Sequence, residues 1–280
     1  MATSSGSVSV SGCLQLSVTA ECHRYAGCMS RRVRVAVLGA RGRMGSAAVR
    51  AVGAAEDLEL TAALGRGDSL ETLTETGTDV VVDLTVPSSS EENVGFAVQH
   101  GMHAVVGTTG WNEERLSALS ELLEQHPGTG VLIAPNFALG SVLATSFAVK
   151  AAKYFESVEV LELHHPDKVD APSGTAVRTA QQIAAARREA GMGPGPDATQ
   201  TALDGARGAT VEDIHIHSVR LRGLVAHQEV LLGSPGEQLS IRHDSFDRES
   251  FMPGVLLGIR SVADHPGLTV GLDGYLDLEA

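Results

Sequence analysis

Val35-Ala36-Val37-Leu38-Gly39-Ala40-Arg41-Gly42-Arg43-Met44-Gly45 decides the fold of this chain, because an apolar, β-branched run leads into a turn of spaced glycines that opens a helical pattern. Gly39 permits the tight turn, Gly42 lets backbone approach a pyrophosphate, and Gly45 lets the helix pack closely on the strand. Free amides at the helix start face the anion. A bare glycine pattern is weak, since any sharp strand-to-helix turn favours glycine. Here strand, turn and helix stand in the required order. The spacing is GxxGxxG, a variation on the GxGxxG fingerprint, and the segment is read as a dinucleotide cradle.

Outward from the cradle, β-branched runs alternate with amphipathic stretches, the pattern of successive βα units on a parallel sheet. Strands are expected at Val33 to Gly39, Leu58 to Leu64, Val80 to Leu84, His103 to Val106 and Val131 to Ile133. Helices are expected at Arg43 to Ala54, Ser89 to His100 and Asn112 to Gln125, the last two opening on Ser and Asn caps. After Phe137 the rhythm changes. A helix, Ser141 to Phe155, a strand, Val158 to Leu163, and a second helix, Gly174 to Ala190, are followed by an aperiodic loop over 191–213. Ile214 to Leu221, Ala226 to Leu232 and Gln238 to His243 alternate as antiparallel strands with one wet face do. A last helix, Arg248 to Ala263, returns to the first sheet. The fold class is therefore α/β: a Rossmann-type doubly wound parallel sheet, over 29–134 and 246–280, plus an α+β domain with a mixed, mostly antiparallel sheet over 135–245.

The 280 residues, 43% hydrophobic and 20% charged, can build two cores of this size. A formal net charge of −13 repels nucleic acid and anionic lipid at long range, so neither is an expected partner. No apolar run approaches the roughly 20 residues of a membrane span. Cys13, Cys22 and Cys28 all lie in residues 1–28, a Ser- and Gly-rich stretch without the layout of a secretory signal, read as a disordered leader. A body without cysteine suits a reducing compartment, the cytoplasm.

Further polar segments fall where ligands of open α/β sheets collect, at the carboxyl ends of strands. At the end of the second strand the order is Ala63-Leu64-Gly65-Arg66-Gly67-Asp68, with glycine where a carboxylate would hold the ribose of NADH. Arg66 suits a 2′-phosphate, which favours NADPH; the alternative is a solvated Arg66 with Asp68 as the acid. Gly107-Thr108-Thr109-Gly110 and Ala134-Pro135-Asn136-Phe137 offer amides, hydroxyls and a carboxamide to a cofactor's ribose or nicotinamide, or are ordinary turns. Glu162-Leu163-His164-His165-Pro166-Asp167-Lys168-Val169-Asp170-Ala171-Pro172-Ser173-Gly174-Thr175 is the densest polar run. Adjacent histidines face opposite ways on a strand. Lys168 brings positive charge, and Ser173, Gly174 and Thr175 open a helix whose amides form an anion site, suited to a dicarboxylate. His164, His165 and Asp167 are badly spaced for one tetrahedral metal ion, so no metal is expected.

With these segments in place, the chain from about Val33 onward resembles the 4-hydroxy-tetrahydrodipicolinate reductases, the DapB-type enzymes of diaminopimelate and lysine synthesis. The run from Glu162 to Thr175 is the most specific part of the likeness. The resemblance implies NAD(P)H-dependent reduction of a cyclic dicarboxylate. It makes His164 the proton donor and acceptor, Lys168 a second donor, and His165, Gly174 and Thr175 the carboxylate site. It also implies a homotetramer joined through the second domain's sheets. Gly65, in place of the usual acid, departs from the pattern. Two rivals remain at this level: a dehydrogenase of another small imino or amino acid, and a dinucleotide sensor without catalysis.

Overall fold

The computed structural model describes residues 31–276 and 278, so the leader at 1–28 and its cysteines lie outside the described residues. Arg32–Ala280 forms one compact unit holding two sheets. The first contains β1 (Val33–Leu38), β2 (Leu58–Leu64), β3 (Val80–Asp83), β4 (His103–Val106), β5 (Gly130–Ile133) and β11 (Gly267–Val270), in the order β11-β5-β4-β3-β1-β2. Every pairing in it is parallel.

Alternation along β1 explains why both faces of this sheet must be covered. Val35 and Val37 pack with α1 (Arg43–Ala54) and α7 (Met252–Ser261), whereas Ala36 and Leu38 join the opposite side. There α3 (Pro87–Gln99) and α4 (Glu113–Gln125) cover the neighbouring strands through Val94, Val98, Leu119 and Leu123. Two buried faces produce the continuous apolar runs seen in the sequence. The strand order reverses between β1 and β3, and a crevice opens beyond their carboxyl ends.

The second sheet contains β6 (Ser157–His164), β7 (Ala209–Val211), β8 (Ile214–Arg220), β9 (Ala226–Ser234) and β10 (Glu237–Ser245), in the order β10-β9-β6-β8-β7. One face packs on α5 (Leu139–Ala152) and α6 (Gly174–Glu189) through Val158, Val160, Ile216, Val230 and Leu232, against Ala148, Ala180 and Ile183.

Several expectations are corrected. The helix expected from Ser89 begins at Pro87, whose fixed φ and missing N–H suit the first turn, so no Ser side chain caps it. Asn112 does cap α4, accepting from the Arg115 amide at 3.0 Å. The helix expected at Ser141 to Phe155 runs instead from Leu139 to Ala152. Of the three strands read as antiparallel, β8 runs parallel to β6 and antiparallel to β7. The aperiodic loop holds β7, joined to β8 by Glu212 and Asp213 at φ 48 and 71, a hairpin turn without its usual glycine signal. The final helix is an α-helix between two 3-10 turns. The short α2 (Glu71–Glu75) and β11 carry too little periodicity to be read in advance.

Candidate active site

At the first site, the glycine turn ends β1 and opens α1. Gly39 has φ +78, and a Cβ there would lie 2.4 Å from the Leu84 carbonyl oxygen. One on Gly45 would lie 2.1 Å from the Gly39 carbonyl oxygen, so neither position admits a side chain. No side chain caps α1 and no acid sits in its first turn, which leaves its amides and positive dipole end to a ligand. A cleft of about 670 Å³ lies alongside, lined by Gly39, Arg41, Gly42, Gly65, Arg66, Asp68 and Thr85 among others. Cradle, helix start and cleft volume all fit the pyrophosphate and adenosine end of a dinucleotide.

Where an acid was missing from the sequence, the structure places a guanidinium. A Cβ on Gly65 would meet Arg41 Cδ, Nε and Cζ at 3.1, 3.1 and 3.2 Å. Asp68 Oδ2 accepts from the Gly65 amide at 2.8 Å and from Arg41 Nη2 at 3.3 Å. Asp68 is thus already engaged, and Arg66 stands exposed on the same cleft wall.

Toward the other end, a cavity of about 350 Å³ is lined by Thr109, Pro135 and Asn136 from the first sheet's loops, by Ser141 of α5, and by Lys168, Asp170, Gly174, Thr175 and Arg178 from the second region. Some of the expected cofactor groups are otherwise occupied. Thr108 is buried with its hydroxyl on the Asp83 carbonyl. Asn136 donates to Ser141 Oγ at 2.8 Å and accepts from the Ala138 amide at 2.9 Å, so much of its carboxamide holds its own loop. Ala134 and Phe137 are core residues. Arg43 and Met44 contribute the opening turn of α1 and line neither cavity.

Ser173 caps α6, its hydroxyl accepting from the Ala176 amide at 3.2 Å, and directs the first turn toward the cavity. Lys168 Nζ donates to Asp170 Oδ1 at 2.7 Å, and that bond holds the Asp170 carboxyl below the usual range. His164 ends β6 and lines an adjoining cavity of about 230 Å³ with Ser173, His227, Gln228 and His243. The two cavities share Pro135, Asn136, Ser141 and Thr175. His165 is half-buried and lines neither.

Beneath His164 lies a group whose role the sequence did not disclose. Val158, Val160 and Glu162 share the buried face of β6, and Glu162 is fully buried. Its carboxylate contacts His164 Nδ1 at 2.5 Å and accepts from Arg220 at 2.9 and 2.8 Å and from the Ser173 amide at 3.2 Å. Burial pushes the Glu162 carboxyl up, but hydrogen bonds from Arg220, Ser218 and His164 outweigh it and hold it low. Burial lowers His164, reinforced by Lys168 and Arg220 and opposed by Glu162. A carboxylate on a buried strand face demands partners, and that signal was present in the sequence. Its partner Arg220, 58 residues away, left none. Among the described residues, no group of three or more His, Cys, Asp or Glu gathers to hold a metal ion.

Family models for dihydrodipicolinate reductase match this chain over 33–137 for the N-terminal part and 140–276 for the C-terminal part. The chain belongs to the dihydrodipicolinate reductase family. Its relatives include the 4-hydroxy-tetrahydrodipicolinate reductases of Streptomyces griseus, 68% identical over 88% of this chain and 99% of that one, and of Nocardia farcinica, 63% identical over the same shares. The dipicolinate-bound dihydrodipicolinate reductase of Paenisporosarcina sp. TG-14 superposes with a TM-score of 0.80 at 41% identity, over 88% of this chain and all of that one. An amine dehydrogenase of Mycobacterium smegmatis, 15% identical with a TM-score of 0.58, shares the fold. The N-terminal region of this reductase is a dinucleotide-binding Rossmann fold.

Proposed function

We propose that the chain reduces 4-hydroxy-tetrahydrodipicolinate to tetrahydrodipicolinate in diaminopimelate and lysine synthesis, with His164 and Lys168 handling protons. The observation that carries this reading is the cavity bounded on one side by Thr109, Pro135 and Asn136, and on the other by Lys168, Gly174 and Thr175. That arrangement sets an anion-seeking helix start against the carboxyl ends of β4 and β5. The dipicolinate named with the Paenisporosarcina structure is a cyclic dicarboxylate of the kind such a site would take.

When bound, reduced nicotinamide supplies the hydride. The balance is substrate, hydride and one proton giving product and water, so the substrate's hydroxyl leaves as water. The chain's part is to hold two carboxylates and deliver the proton. Gly174 and Thr175 present helix-start amides to one carboxylate, and His165, which lies outside both cavities, would have to turn inward to join them. Lys168 answers the other after exchanging Asp170 for it, since a substrate anion competes directly for the same ammonium. Positive charge at this point lowers the cost of bringing a dianion to the hydride donor. His164 gives its proton as negative charge develops on the ring, a contribution of about 10² to 10⁴ in rate.

The cofactor proposed is NADPH in preference to NADH, on the strength of Arg66 and Arg41 beside Gly65. Residues 29–134 with 246–280 would hold it and 135–245 the substrate. A homotetramer formed through the outer face of the second sheet is proposed, because Leu161, Leu163, Val219 and Leu231 are only half-covered there. Reduced nicotinamide as the consumed reagent fits a cytoplasmic setting. Among the described residues, no helix is long and apolar enough to cross a membrane.

The test is a coupled assay with freshly condensed pyruvate and aspartate semialdehyde, following loss of reduced nicotinamide absorbance. The expected result is turnover that H164Q lowers by about 10²-fold or more, with a far smaller change in substrate affinity. Turnover of a different imino acid without the cyclic substrate, or binding without turnover, would overturn it.

A further inference from the structure

The Glu162 carboxylate makes four close contacts, two at each oxygen, with Ser218 adding a further donor nearby. Oε1 accepts from Arg220 Nη2 at 2.8 Å and the Ser173 amide at 3.2 Å. Oε2 accepts from Arg220 Nη1 at 2.9 Å and lies 2.5 Å from His164 Nδ1. An ionised carboxylate can only accept, so Nδ1 must carry a hydrogen, and the exchangeable proton is left to Nε2. Arg220 reaches further. The same Nη2 donates to the Asp170 carbonyl at 2.7 Å, and the Asp170 side chain accepts from Lys168 at 2.7 Å. One ion pair, buried at Glu162 and half-buried at Arg220, therefore touches the His164 ring, the start of α6 and the loop that carries Lys168.

We propose that Glu162 and Arg220 are positioning residues that fix the tautomer and orientation of His164 and, through the Asp170 carbonyl, the loop bearing Lys168. The proposal rests on His164 being the proton donor. Neither residue lines the cavities that His164 and Lys168 line, so both act through other groups. A paired, hydrogen-bonded carboxylate behind an imidazole also stabilises its protonated form. The charged and titratable groups around His164 are Glu162 on its own strand, Arg220 on β8, Lys168 on the loop, and His227 and His243 in the shared cavity. Of these only Glu162 is negative. Its removal must lower the His164 pKa, and a rate that needs protonated His164 then fails at lower pH as the solution is made alkaline.

The experiment uses the full-length enzyme with E162Q, E162D, H164Q and the double variant E162Q/H164Q. In E162Q, kcat is expected to fall by about 10-fold to 10²-fold, at or below the low end of a full acid–base contribution because His164 itself remains, with KM changed less than about threefold. Its alkaline limb moves to lower pH, E162D keeps the limb nearer to wild type, and E162Q costs little more once His164 is already Gln. Full kcat in E162Q, or the same loss in the H164Q background as in wild type, would overturn the proposal. Should E162Q fail to fold, nitrogen-15 NMR of the wild-type enzyme decides: a neutral His164 with its hydrogen on Nδ1 supports the pair, and one on Nε2 sinks it. Wild-type turnover in H164Q would instead defeat the proton-donor reading, a result the NMR tautomer keeps separate.

Discussion

At Gly65 the absence of a side chain has a chemical consequence, because the space a Cβ would take is filled by the Arg41 guanidinium. The sequence disclosed the missing acid and pointed to Arg66, but it offered Arg41 only as backbone in the glycine turn. Arg41 was invisible in this role because the contact joins the first βα turn to the end of β2. Its side chain is 74% exposed, so it can swing away from a new neighbour at little cost. Steady-state assays should give a lower KM for NADPH than for NADH. R66A should narrow that gap by raising KM for NADPH, and G65D should move the ratio toward NADH by about tenfold, or 1.4 kcal/mol. An unchanged ratio in both variants removes the basic pair from cofactor choice.

Among elements, the end of α5 shows how much one side chain from another helix can settle. Arg187 of α6 is buried and donates to the carbonyls of Ala152, Phe155, Glu156 and Gly193, at 3.0, 2.6, 2.8 and 3.1 Å. It thereby closes the end of α5, starts the turn into β6 and pins the beginning of the long loop. The sequence put the end of this helix at Phe155, three residues late, since nothing local in Ala152-Lys153-Tyr154-Phe155 breaks a helix. R187A leaves several buried carbonyls without a donor and should cost about 2–4 kcal/mol, read as a lower Tm. Cofactor affinity at moderate temperature should be unchanged, because none of these atoms faces the dinucleotide cleft.

For the whole molecule, two kinds of titration act in the same direction. Burial lowers His103, His164 and His243, so the fold favours them neutral, and protonation below their ordinary value, about 6.5, favours the unfolded chain. Glu159 and Glu162 are held low despite burial, by Arg207 with His217 and by Arg220 with its neighbours. Asp197 is drawn down to about 2, first by Thr199 and then by Arg207. Stability from these carboxylates is full above the ordinary carboxylate range and is lost as pH falls through their folded values. Tm should therefore decline modestly from neutral pH to about 5 and more steeply below about 4; a flat profile contradicts it. Sedimentation should give four times the chain's mass, and a monomer would remove the proposed use of the second sheet's outer face. The sequence by itself determined the parallel sheet, the glycine cradle and the His-Lys run, because each is written in contiguous residues by local periodicity, turn chemistry and helix-start amides. Only the tertiary structure decided that β8 lies parallel to β6 and that Arg220 reaches Glu162. It also decided that Lys168 and Thr109 share one cavity, since those relations join residues far apart in the chain through sheet register and packing, which no local pattern encodes.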